Sequence, residues 1–116
     1  MVNANDKGKR FERKVANRLN ERFGTNVRRT PMSGGMTIKG DIIDLEGPLK
    51  QFSFECKNQE RLNIWSALKQ SQDDAAIDGR TPVVVFTKNH QPDFVAMRFE
   101  EWMDLIEKIT IKRKEK

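Results

Sequence analysis

Apolar residues fall at Phe11, Val15, Leu19 and Phe23, a spacing of four that predicts a helix over residues 7–23. Asn5 or Asp6 is placed to cap its start, and Gly24 follows its end. Residues 26–29 predict a short strand, and "TPMSGGMTIKG", with three glycines, a flexible loop. "DIIDL" predicts a strand, "EGPLK" a turn and "QFSFECK" the returning strand of a hairpin. A second helix is expected over residues 63–77, with Trp65, Leu68 and Ala75 facing inward. The continuous apolar run of "TPVVVFTK" has the pattern of a central buried strand. "DFVAMRF" predicts a further strand. "EEWMDLIEKI" predicts a closing helix, its acids first and Lys108 late, as the helix dipole favours. The order α-β-β-β-α-β-β-α implies an α/β fold, a mixed central sheet with helices on its faces.

One strand breaks the rules for its type. In "QFSFECKN", Phe52, Phe54 and Cys56 alternate onto one face, leaving Gln51, Ser53, Glu55 and Lys57 on the other. Strands disfavour Glu and Lys, and a buried charge is costly without a partner. Either the pair lies on an exposed face as a cross-strand ion pair, or it belongs to a site. If the hairpin forms, Asp41 lies at the end where the second strand finishes with Glu55 and Lys57. Two carboxylates with the carbonyl of Cys56 between them make a hard-oxygen site suited to Mg²⁺, with Mn²⁺ able to substitute. Such a site activates a bound water and stabilises charge on phosphate oxygens. Lys57 would hold or deprotonate that water, or neutralise developing charge.

Composition narrows the field. The 116 residues are one domain with room for one modest core, with residues 1–6 and 111–116 expected to be flexible basic termini. The chain is 34% charged, no apolar run approaches the ~20 residues of a membrane helix, and no signal-peptide pattern opens it. One cysteine permits no internal disulfide, consistent with a reducing, cytoplasmic setting. One Cys and one His cannot build a structural zinc site, so any metal must rest on oxygen. The net charge of +5 is uneven. Residues 1–30 carry nine basic and three acidic side chains (+6), and "KITIKRKEK" carries five and one (+4), leaving an acidic middle. A basic first segment beside an acidic centre suggests a polyanion partner near a cation site, although a helix kept basic for solubility has the same composition.

Asp41 followed by Glu55-Cys56-Lys57 resembles the PD-(D/E)xK nuclease motif, and the wider pattern resembles archaeal-type Holliday junction resolvases, a group also carried by viruses. "KGKRFERKVANRL" is similar to that family's opening helix, whose Glu is a further metal-site carboxylate and matches Glu12. "VRRTPMSGG" resembles the Arg-rich, Ser-Gly-Gly segment before the catalytic Asp, which brings Ser33 to the scissile phosphate. "LKQSQDDAAIDGRTPVVVF" matches the following helix and buried strand, with Gln70, or else Gln72, as the glutamine lining the site. Gly40 stands where the motif name has Pro. The resemblance implies a restriction-endonuclease-like fold and a Mg²⁺-dependent homodimer that cuts four-way DNA junctions by symmetric paired nicks. Glu12, Asp41, Glu55 and Cys56 would serve the metal, and Lys57, Ser33 and Gln70 the water and phosphate.

Duller readings exist for several of these residues. Glu12 can be a helical ion-pair partner for Lys9, Ser33 a turn residue, and Cys56 a small core side chain. His90 fits an exposed loop, and Trp65 and Trp102 fit core or dimer contacts. Lys7, Lys9, Arg10, Arg13, Arg28, Arg29 and Lys39 are the candidate DNA contacts. With no tyrosine, one histidine, one cysteine and no Gly-rich phosphate loop, the chain cannot be a tyrosine-nucleophile, GIY-YIG, HNH or cysteine-zinc nuclease, and ATP hydrolysis is not expected. A repair or restriction-type nuclease of the same chemistry, or a non-catalytic DNA-binding protein, remains as an alternative.

Overall fold

The computed structural model describes residues 4–31 and 40–114. Helix α1 (Ala4–Phe23) is followed by strands β1 (Arg28–Arg29), β2 (Ile42–Ile43) and β3 (Phe52–Asn58). Helix α2 (Ile64–Asp78), strands β4 (Thr81–Thr87) and β5 (Phe94–Ala96), and helix α3 (Phe99–Lys114) complete the chain. The element order is the one the hydrophobic pattern predicts. Helix α1 begins three residues before the expected start at residue 7, which puts Asn5 and Asp6 inside the first turn rather than at the cap. Likewise α3 continues over residues 111–114, which were expected to be a loose terminus.

The five strands lie in the order β1-β2-β3-β4-β5. β1 and β2 pair antiparallel, as do β2 and β3 and also β4 and β5, whereas β3 and β4 run parallel from Phe52↔Thr81 to Asn58↔Thr87. The parallel pair requires a crossover, and α2 supplies it. Asn63 caps α2 by accepting from the Ser66 amide, and Gly79 ends it in the left-handed region with φ +71°.

Each face of the sheet carries one helix. Phe11, Val15 and Ala16 of α1 pack with Ile42, Phe54, Cys56, Val83 and Val85 on the first face. Full burial of each large side chain there contributes about 1.5–3 kcal/mol. On the second face α2 presents Ala67, Ser71 and Ala75, small residues at helical spacing, to β3 and β4. Of the expected inward face, Ala75 is buried, and Ala67 and Ser71 take the places expected of Trp65 and Leu68. Trp65 is 79% exposed, and Leu68 is only partly covered. Two helices on two faces also correct the reading of β3: Ser53, Phe54, Glu55 and Cys56 are all buried, so its polar side is covered by α2 and is no open surface. Among the described residues α3 packs extensively on no other element.

Candidate active site

Asp41 is held by backbone on both sides. Its amide donates to the Phe54 carbonyl at 2.7 Å, and its carbonyl accepts from the Thr30 amide at 3.0 Å. One carboxylate oxygen, Oδ2, accepts from the Cys56 amide at 2.8 Å. The pairing of β2 with β3 stops at Ile42↔Phe54, so beyond that point the side chain of Asp41 takes the place of a strand. The amide and carbonyl of one strand residue point the same way. The Cys56 carbonyl therefore faces the side on which Asp41 lies. The second acid of "DIID" does different work: buried Asp44 accepts from the amides of Gly47 and Leu49 and shapes the hairpin turn.

Gly40 explains why the residue before Asp41 is small. A Cβ built there would lie 2.9 Å from Ser53 Oγ and 3.2 Å from the amide nitrogen and carbonyl oxygen of Phe54. The Ser53 hydroxyl can rotate away, but the β3 backbone cannot. Gly40→Ala is expected to cost about 1–3 kcal/mol of stability by overpacking. It should also displace Asp41, reducing turnover more than DNA affinity; thermal melts beside cleavage and binding assays would check both.

Glu55 is among the most deeply buried side chains, 1% exposed, and its Oε1 has no hydrogen-bond partner. Burial, with Asp41 and then Asp74 beside it, pushes its carboxyl up to about 9. Asp74 sits on α2 and is not among the residues the sequence pattern places at the site. The only signal for it was its place on α2 one turn beyond Gln70, and that gains meaning once α2 is known to cover β3. Gln70 itself is exposed on the Asp74 side of the buried α2 stripe, whereas Gln72 lies on the other side.

Lys57 follows on the same face as Glu55, half-buried, and makes no ion pair among the described residues. Glu12 pairs with Arg29 Nε at 2.8 Å, across from α1 to β1. The partner is therefore Arg29 and not Lys9, and Arg29, expected as a phosphate contact, is engaged by Glu12. The tie is set by Asn20, whose amide group both accepts from the Val27 amide and donates to the Val27 carbonyl, fixing the start of β1 against α1. Cys56 is a buried free thiol pushed up by burial first and then by the charges of Asp41 and Glu12, which keeps it protonated and chemically quiet. Among the described residues no three Asp, Glu, His or Cys side chains already converge on one point. The preformed pair is Asp41 with Glu55, and Glu12 stands by, held by Arg29.

Lys7, Arg10 and Arg13 border a cleft of about 560 Å³ that ends on Asn58 and Thr87, next to Lys57. Lys14 and Arg18 of the same helix are tied to Asp93. Lys9 and Arg28 are exposed. Ser33 and Lys39 lie outside the described residues.

A helix–sheet–helix sandwich with Asp41 at the end of one central strand and Glu55-x-Lys57 on its neighbour defines the PD-(D/E)xK nuclease architecture. The sequence matches the family described as "Phage putative PDDEXK endonuclease" over residues 3–116. The chain belongs to that endonuclease family. Its fold is similar to the 1.6 Å structure of Hjc from Archaeoglobus fulgidus, a Holliday junction resolvase from an archaeal hyperthermophile. That match has a TM-score of 0.55 at 20% identity and covers 78% of this chain and 76% of that one. No curated protein matches the sequence.

Proposed function

We propose that this endonuclease is metal-dependent and cuts branched DNA, with the four-way junction as its preferred substrate. The observation that carries the metal is Glu55: a buried carboxyl with an unpartnered oxygen, crowded by Asp41 and Asp74. Such a group is poorly arranged unless a cation joins it. The donors fit Mg²⁺, which takes one or two carboxylates and completes its shell with water and phosphate oxygens. Asp41, Glu55 and the Cys56 carbonyl would hold it, with Glu12 through water. When bound, the ion lowers the pKa of an attacking water and offsets charge on the phosphate.

The remaining chemistry belongs to the chain. The Cys56 amide fixes one oxygen of Asp41, leaving the other to turn toward Glu55. Lys57, two residues beyond Glu55 on β3, orients the nucleophilic water or receives its proton as the new P–O bond forms and the bond to the leaving oxygen breaks. That oxygen takes a proton from solvent, and Gln70 and Ser33 support the phosphate. Lys7, Lys9, Arg10, Arg13, Arg28 and Lys39 bind the DNA backbone, and Arg29 holds Glu12. Affinity should then fall with salt, with a log–log slope of about 0.9 per phosphate contacted. The preference for a junction is supported by the similarity of fold to an archaeal resolvase. It is also supported by the small size of the chain, since two symmetric cuts call for two copies.

Calorimetry tests the metal separately from cleavage. Mg²⁺ or Mn²⁺ should bind the wild-type chain, and Asp41→Ala should abolish that binding. Equal binding by the variant would remove Asp41 from the site.

A further inference from the structure

Phe86 lies beside Lys57 in the register of the parallel pair β3 and β4, and Phe94 lies beside Phe86 where β5 joins β4. Val83 and Val85 point to the α1 face, so Phe86 lies on the other face, the one that carries Glu55 and Lys57. The two rings stack with centroids 5.8 Å apart. They line a hollow of about 250 Å³ outside the carboxyl ends of β3 and β4, and Leu62 and Ile64 complete its apolar part. Gln59, Glu60, Lys88 and Gln91 make its polar part. Open α/β sheets bind ligands outside the carboxyl ends of their parallel strands, yet the metal chemistry makes no use of this hollow.

We propose that the hollow takes one unpaired nucleobase of the strand being cut, beside the scissile phosphate, and so helps to recognise the branch point. The inference rests on the branched-DNA reading given above. Size and chemistry select the occupant. A drug-sized ligand takes ~300–1,000 Å³, so the hollow suits a single planar ring system. Aromatic rings stack on a base of any identity, and the amides of Gln59 and Gln91 each offer a donor and an acceptor to its edge. Glu60 and Lys88 leave the lining with no net charge, which favours a neutral ring over a phosphate. Position agrees. Neighbouring strands are ~4.8 Å apart, so the hollow begins one strand away from Lys57. Thr87 borders both the hollow and the basic cleft of α1. A strand with its phosphates in that cleft and its scissile group at Glu55 and Lys57 thus runs past the hollow.

The turn that walls the hollow is fixed in advance. The Gln91 amide donates to the Lys88 carbonyl at 3.2 Å, and the Asn89 amide to the Glu60 carboxylate at 2.6 Å. The buried Thr87 hydroxyl lies 3.1 Å from the carbonyl oxygens of both Gln91 and Pro92. These ties hold His90 at φ 67°, the one non-glycine residue in the left-handed region among the described residues. Such a conformation persists where its surroundings over-determine it, and residues of this kind collect at ligand sites. Selectivity follows from the cost of freeing a base, which is least where pairing is already interrupted. The hollow therefore favours a branch point over continuous duplex without reading sequence.

The test uses the full chain and a four-way junction whose cut position has been mapped in Mg²⁺. Each nucleotide flanking the cut is replaced in turn by a mismatched base or by an abasic site, both unpaired and differing in the ring. In EDTA, wild type should bind the mismatched form about tenfold more tightly than the abasic form at one position. Phe94→Ala should lose most of that preference and Phe94→Trp should keep it, with the salt dependence of binding unchanged in both. The comparison of mismatched with abasic DNA uses the wild-type chain and stands whether or not a variant folds. No preference at any position, or a preference that Phe94→Ala retains, would overturn the proposal, and continued junction cleavage would leave the substrate reading in place. Linear duplex bound as tightly as the junction would overturn both.

Discussion

Replacing Glu55 by Gln is expected to abolish cleavage while making the metal-free protein more stable. Loss of one carboxylate of the proposed metal site removes several kcal/mol of transition-state stabilisation, which is a fall of roughly 10³-fold or more in rate. The stability change has the opposite sign for a reason that lies in the titration. Glu55 ionises near 4.5 when the chain is unfolded, and near 9 in the fold, where burial and then Asp41 and Asp74 oppose its charge. Between those values the folded state keeps a proton that the unfolded state has lost. Metal-free stability is therefore full below pH 4.5 and falls as pH rises toward 9. At pH 7 the gap amounts to about 2–3 kcal/mol. Gln carries no charge to bury and can donate to either neighbouring carboxylate. Its melting temperature in EDTA at pH 7 should lie about 10 °C above wild type, and it should lack the wild-type decline between pH 5 and 8. Added Mg²⁺ should raise the wild-type melt and leave the variant where it is. A variant that melts lower than wild type in EDTA would mean that Glu55 is structurally satisfied and that its carboxylate does not await a cation.

Asp41→Ala should be as damaging to turnover, again by roughly 10³-fold, and should spare DNA affinity within about a factor of three. The separation follows from placement. The basic residues of α1 border their own cleft, and the Asp41 side chain offers only its carboxylate, to the Cys56 amide and to the proposed metal site. The substitution also removes the largest charge acting against Glu55, so the pH-dependent loss of metal-free stability should still begin near pH 4.5 but end at lower pH and be smaller than in wild type. Cleavage under single-turnover conditions, beside binding measured in EDTA, separates the two effects. Near-normal turnover in the variant would require a different metal position.

The hydrophobic pattern carried the element order because each element has a local cause: a stripe of four for α1, turn residues for the hairpin, a continuous apolar run for β4. It also carried the pairing of Asp41 with the end of β3, since a hairpin brings strand ends together whatever packs above them. Coverage was less legible. The polar side of β3 reads as half-exposed until the parallel crossover places α2 on it, and a crossover is a property of two distant segments. The face of α2 was misjudged for a related reason. Trp65 is the most hydrophobic candidate, but close packing of a helix on a sheet favours Ala67, Ser71 and Ala75, and the large ring is left outside. Asp74 became visible only through that packing. The partner of Glu12 was missed because Lys9 is near in sequence, whereas Arg29 is brought near by the Asn20 clamp.

The central account is tested most directly by incubating the protein with a labelled synthetic four-way junction, linear duplex and single strand, in Mg²⁺ and in EDTA. Paired, symmetric nicks on the junction in Mg²⁺, none in EDTA, and little cutting of the controls are the expected result. Cutting that persists in EDTA would contradict the metal site built on Asp41 and Glu55, and equal cutting of linear duplex would contradict the junction as substrate.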